Sequence, residues 1–194
     1  RTIATITLTG QDKYKKGFEP LLPEIEIVEF NNTRDLEDKF DDTVCAIFME
    51  AVQGEGGVHP LKDGFVAKAK ELAEKHSALI IFDEVQAGIG RTGKYFGYQH
   101  FDIEPDMITL AKGLGNGFPV GALHARKTVL DELPTAGLHA STFGGNYLAS
   151  SAAIAVIQQL DMELMEHVNE MGDYIYKNFM SLQQNMPKRI GEIR

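Results

Sequence analysis

At 194 residues, 43% hydrophobic and 24% charged, the chain has the make-up of a soluble globular protein. It is long enough for one α/β domain with a sizeable core and short for a complete two-domain enzyme. A formal net charge of −9 argues against nonspecific nucleic-acid binding and against attraction to anionic membranes. The single cysteine excludes an internal disulfide and fits a reducing cytoplasm, and no apolar stretch reaches membrane-spanning length.

From the amino end, Ile3-Ala4-Thr5-Ile6-Thr7-Leu8 reads as a strand, followed by turn signals at Gly10, Gly17, Pro20 and Pro23. Residues 25–30 alternate apolar and charged side chains, as a half-exposed strand does, and 35–40 suit a short helix. Residues 44–49 form a buried strand ending at Glu50, with Cys45 as a core thiol. An amphipathic helix spans 61–76, with Phe65, Val66, Ala69, Leu72 and Ala73 on one side.

Residues 78–82 are the next buried strand, ending in Asp83-Glu84. Residues 107–111 are another, ending before Lys112, and 121–125 add one more. The 29-residue step from Asp83 to Lys112 fits one crossover helix plus loops. Residues 146–184 are helical with a break near Asp161, and the methionines of 162–186 mark a packing face. Strands alternating with helices give an α/β fold with a mostly parallel sheet and flanking helices. The chain opens on Arg1 and stops at Arg194 where a further strand begins, so it reads as a piece of a longer protein.

Three strands end at Glu50, Asp83 and Lys112, the carboxyl edge where open α/β sheets bind ligands. A lysine at a strand end among small residues is accessible yet partly desolvated, and a neutral amine can form a Schiff base with an aldehyde. Taken alone, Lys112 suits a surface lysine beside a turn better than a catalytic one. Asp83 ends a hydrophobic strand, and a buried carboxylate needs a cationic partner. A pyridine nitrogen, a helix cap or a structural ion pair all meet that need. Glu84 suits a structural role, and His59, His76 and His100 carry no metal-ligand spacing, so no metal site is expected.

Five segments carry a resemblance. They are Ile81-Phe82-Asp83-Glu84-Val85-Gln86, Gly90-Arg91-Thr92-Gly93, Ala111-Lys112-Gly113-Leu114-Gly115, Glu50-Ala51-Val52-Gln53-Gly54-Glu55-Gly56-Gly57 and His139-Ala140-Ser141-Thr142-Phe143-Gly144-Gly145-Asn146. In order and spacing they resemble the class III aminotransferases of fold type I, over residues 1–194. The resemblance implies pyridoxal 5'-phosphate as cofactor, with 1–194 as the central part of the cofactor-binding large domain. It also implies an N-terminal segment and a C-terminal small domain outside this sequence.

By the same resemblance, Lys112 is the catalytic lysine that binds the cofactor, and Asp83 partners the pyridine nitrogen. Val85 packs on the ring, and Gln86 hydrogen-bonds the phenolic oxygen. Thr142 binds the phosphate across a homodimer interface. Glu55 is the carboxylate that pairs with a substrate-binding arginine. Residues 84–93 look closest to acetylornithine and ornithine enzymes, which implies a small-molecule amino donor, 2-oxoglutarate as acceptor, arginine biosynthesis and a cytoplasmic setting. 4-Aminobutyrate and succinylornithine enzymes remain open, as does a non-catalytic module that binds a partner or assembles. A nucleotide-binding domain has only Gly113, Gly115 and Gly117 in its favour.

Overall fold

The computed structural model describes residues 2–132 and 140–194; His139 of the motif above lies outside them. In chain order the elements are α1 (Ile3–Leu8), α2 (Thr33–Lys39), β1 (Ala46–Met49), β2 (Val52–Gln53), β3 (His59–Pro60), α3 (Asp63–His76), β4 (Leu79–Asp83), β5 (Met107–Leu110), β6 (Ala122–Ala125), α4 (Lys127–Glu132), α5 (Tyr147–Gln159) and α6 (Met162–Asn185). Strands β1, β4, β5 and β6 make one sheet in that order, parallel except for the antiparallel β5–β6 pair. The short β2–β3 hairpin stands apart from it.

The expected α/β fold with a mostly parallel sheet is present, and the predicted inner face of the long helix lies in its core. All five apolar residues assigned to the inner face of α3 are buried, and they pack with Ile80 and Phe82 of β4. The charges at the ends of α3 favour the helix dipole, with Asp63 in the first turn and Lys75 and His76 in the last. Ser77 ends the helix in the left-handed region at φ 55°, its N–H donating to the Ala73 carbonyl. The break near Asp161 is also explained: the Asp161 side chain accepts from the Leu164 N–H and starts α6 afresh.

Several expectations fail, each for a local reason. Residues 3–8 form helix α1, although isoleucine and threonine there favour a strand. Thr2 caps the first turn, and the Thr7 hydroxyl donates to the Ile3 carbonyl (2.8 Å) while accepting from the Leu22 N–H (3.2 Å). Threonine can take up a helix carbonyl one turn back in this way. Residues 25–30 stay unpaired because α2 side chains take their backbone groups. The Glu29 N–H donates to Asp35 and Lys39 Nζ donates to the Ile27 carbonyl, both at 2.7 Å.

Cys45 is exposed, not a core thiol. β1 lies at the sheet edge with one face uncovered, and Phe48 on it is also exposed. No α-helix joins β4 to β5. The connection turns on Ile89, Gly90 and Gly93, all at positive φ, and contains only the short 3-10 turn Gly97–His100. Of the methionines in residues 162–186, Met165 is buried against Gly90, whereas Met162, Met171 and Met186 are exposed.

Glu84 pins that long connection to the sheet. It is fully buried, and its two oxygens accept from the Gly97 and Tyr98 N–H groups, each at 2.8 Å. Burial pushes its carboxyl above the ordinary glutamate range, the two N–H groups oppose this, and Asp83 adds to the rise. The folded chain therefore keeps this proton to a higher pH than the unfolded chain. The stability this contributes is complete below the unfolded value and is lost as pH rises through the folded one.

In urea unfolding, Leu72→Ala is expected to cost about 2–5 kcal/mol, whereas Met171→Ala on the exposed face of α6 should stay within about 0.5 kcal/mol. Glu84→Gln sets an amide N–H against a buried N–H donor. It should cost about 1–3 kcal/mol and flatten the stability profile across the weakly acidic range. A wild-type profile in this variant would mean that Glu84 does not pin the turn.

Candidate active site

Parallel register assembles the site. Asp83 of β4 pairs with Thr109 of β5, and Met49 of β1 pairs with Phe82, so Glu50 stands beside Asp83 one step further on. Adjacent strands lie about 4.8 Å apart, and paired residues project from the same face. Glu50, Asp83 and Thr109 thus form one row across three strand ends.

Asp83 Oδ1 accepts from the Thr109 hydroxyl (2.9 Å) and from the Val85 N–H (3.0 Å). Those two donors fix the carboxylate, and Oδ2 makes no hydrogen bond among the described residues. A half-buried carboxylate held on one oxygen and open on the other suits a cationic N–H such as a protonated pyridine. The cofactor implied by the sequence fits this donor set.

Lys112 follows β5 and opens a 3-10 turn, Lys112–Leu114, at φ +41°. That left-handed backbone costs an L-residue about 1–3 kcal/mol and persists only where its surroundings impose it. Here the Lys112 carbonyl accepts from Gly115 (3.0 Å) and Asn116 (3.2 Å). Gly115 is required, because a Cβ there would lie 2.1 Å from the Phe118 carbonyl oxygen. The Lys112 side chain is exposed, and its Nζ donates to Gln86 Oε1.

Gln86 is also held from behind: a Cβ on Gly54 would lie 2.5 Å from its Cγ, so only glycine lets the hairpin approach. Val85 is half-buried at the mouth of β4.

The structure brings Asp83, Val85, Gln86 and Lys112 to one sheet edge. It places Glu55 close by but exposed, in the turn between β2 and β3, with no ion pair among the described residues. Thr142 is exposed in the turn before α5, and no hydrogen bond joins it to Asp83, Gln86 or Lys112. α5 itself packs on the Lys112–Leu114 turn. A surface groove lined by Lys70, Ser77, Asp106 and Arg126 lies at the opposite, amino-terminal edge of β4 and holds none of these residues.

Two participants escaped the sequence reading. Thr109, which orients Asp83, was recoverable from the strand ends alone, since it faces Asp83 if both strands run parallel. Glu50 was noticed at a strand end but given no part. Burial pushes its carboxyl up, the Gly54 N–H opposes this, and smaller effects follow from Asp83, Lys112 and Glu55. Glu50 therefore senses three of the residues assigned to the site.

Comparison with known proteins gives the family. Residues 1–194 match the family Aminotransferase class-III. An acetylornithine aminotransferase from Caldanaerobacter subterraneus is 46% identical over 195 residues, which cover 100% of this chain and 49% of that protein. One from Aquifex aeolicus is 42% identical over 98% of this chain and 50% of its own length. The chain thus spans about half the length of the curated relatives it matches. Among solved structures, the ornithine aminotransferase of Toxoplasma gondii superposes with a TM-score of 0.89 at 34% identity, covering 100% of this chain and 46% of its own. An N-acetylornithine aminotransferase from Stenotrophomonas maltophilia gives 0.76 at 36% identity, covering 87% and 44%. With the family matched end to end and the lysine, aspartate and glutamine gathered at one sheet edge, this chain belongs to the class III aminotransferases, whose cofactor is pyridoxal phosphate.

Proposed function

We propose that the chain forms the lysine-bearing part of an aminotransferase that moves the terminal amine of N-acetylornithine or ornithine to 2-oxoglutarate. The products are the semialdehyde and glutamate, a step of arginine biosynthesis. The observation that carries the reading is the Lys112–Gln86 contact beside an Asp83 carboxylate already fixed by Thr109. The choice of donor is supported by relatives named acetylornithine aminotransferase at 40% to 46% identity. We further propose a homodimer with shared active sites, working in the cytoplasm. The exposure of Thr142 supports the first, since a residue serving a second subunit must face outward. The lone cysteine supports the second.

Bound pyridoxal phosphate supplies an electron sink that stabilises the carbon losing its proton. The chain's own groups do the rest. The Asp83 carboxylate holds positive charge at the ring nitrogen, and Thr109 and the Val85 N–H keep it aimed. Val85 would hold the ring, Gln86 the phenolic oxygen, and Thr142 of a second subunit the phosphate. Lys112 Nζ binds the cofactor aldehyde. Its free amine would act as general base at the amine-bearing carbon of the donor and as general acid at the cofactor carbon that receives the proton. Glu55 pairs with a substrate-binding arginine from elsewhere in the protein.

Borohydride reduction with pyridoxal phosphate should leave a pyridoxyl group concentrated on the Lys112 peptide. In the full-length protein, Lys112→Ala should lower transamination by at least about 10³-fold, and Asp83→Ala should weaken cofactor retention and slow turnover. Label scattered over surface lysines of a folded chain would favour a non-catalytic assembly module instead. A donor panel then separates acetylornithine from 4-aminobutyrate and succinylornithine, and the highest kcat/KM is expected with acetylornithine or ornithine.

A further inference from the structure

We propose that Glu50 is a positioning residue of this site: it anchors the Gly54 backbone against Gln86, and so sets where Gln86 meets the Lys112 amine. The inference rests on the functional reading above and deepens it. Glu50 Oε2 accepts from the Gly54 N–H at 3.3 Å, closing the start of the β2–β3 hairpin back onto the end of β1. Gly54 in turn touches Gln86 so closely that no larger residue fits, and Gln86 Oε1 is the acceptor for Lys112 Nζ. A chain of direct contacts therefore runs from Glu50 through Gly54 and Gln86 to the amine. On its other side Glu50 stands next to Asp83, opposite the strand that contributes Thr109.

A purely structural glutamate explains this placement poorly. Glu50 is half-buried with no cationic partner in hydrogen-bonding range among the described residues, and its carboxyl is pushed up by burial. An apolar residue would fill the same space at lower cost in desolvation. What an apolar residue would lack is an acceptor for Gly54. The role does not require Glu50 to touch substrate or cofactor.

The test compares Glu50→Ala and Glu50→Gln in the full-length protein. Gln keeps an acceptor for Gly54, and Ala removes it. The first readout is the pyridoxal phosphate concentration that half-saturates borohydride-trapped label on Lys112. The second is hydrogen exchange at the peptide containing Gly54. Glu50→Ala should raise the half-saturating concentration about 10-fold and speed exchange at Gly54, and Glu50→Gln should restore both to within about 3-fold of wild type.

Wild-type labelling and exchange in Glu50→Ala would overturn the proposal. So would equal losses in both variants with a matching fall in melting temperature, since that pattern marks a structural carboxylate. A wild-type protein that fails to label Lys112 would sink the functional reading instead, and the Gly54 exchange would still decide on the Glu50 anchor.

Discussion

Parallel pairing in register is the constraint on which the site depends. Because β1, β4 and β5 run the same way and end together, Glu50, Asp83 and Thr109 fall into one row, and Lys112 follows three residues beyond Thr109. A slip of one residue in β4 would turn Asp83 to the other face of the sheet and leave Thr109 without its acceptor. The hydrogen bond from Thr109 to Asp83 is the visible sign that the register is right. The core enforces that register through Ile80 and Phe82, which sit in the same strand as Asp83 and pack under α3.

Around this row the loops behave as an extension of the sheet edge. The β2–β3 hairpin leans on Gln86 through Gly54, and the long β4–β5 connection is tied down by Glu84. Two adjacent acidic residues at the end of β4 thus have opposite fates. Asp83 faces the site with one oxygen open. Glu84 faces inward with both oxygens occupied by backbone donors. Alternation along the strand separates them, and their hydrogen-bond partners determine what each can do.

Much of this is legible in the sequence, and each departure has its own physical cause. The α3 inner face, the strands ending at Asp83 and before Lys112, and the restart at Asp161 all follow from apolar spacing and capping residues. In residues 3–8 and 25–30, side-chain hydrogen bonds from Thr2, Thr7, Asp35 and Lys39 settle the backbone conformation, and apolar periodicity carries no trace of such bonds. The expected crossover helix failed because the glycines from Gly88 to Gly97 permit a compact looped path. The apolar run around Cys45 does not reveal which strand will lie at the edge, and Cys45, just before edge strand β1, is exposed. At the site, Asp83, Gln86 and Lys112 were legible as motif residues, while Thr109 and Glu50 become visible only once the strands are laid side by side.

The left-handed backbone at Lys112 places two demands on one position. Its conformation is one that glycine adopts freely, yet the reaction we propose calls for a primary amine there. On that proposal the side chain needed for function is not the one the backbone favours, and exchanging it for glycine would relieve strain at the expense of the proposed chemistry. A selection for thermal stability alone would push this position away from lysine, so under the proposed function the lysine is a local trade of stability for activity.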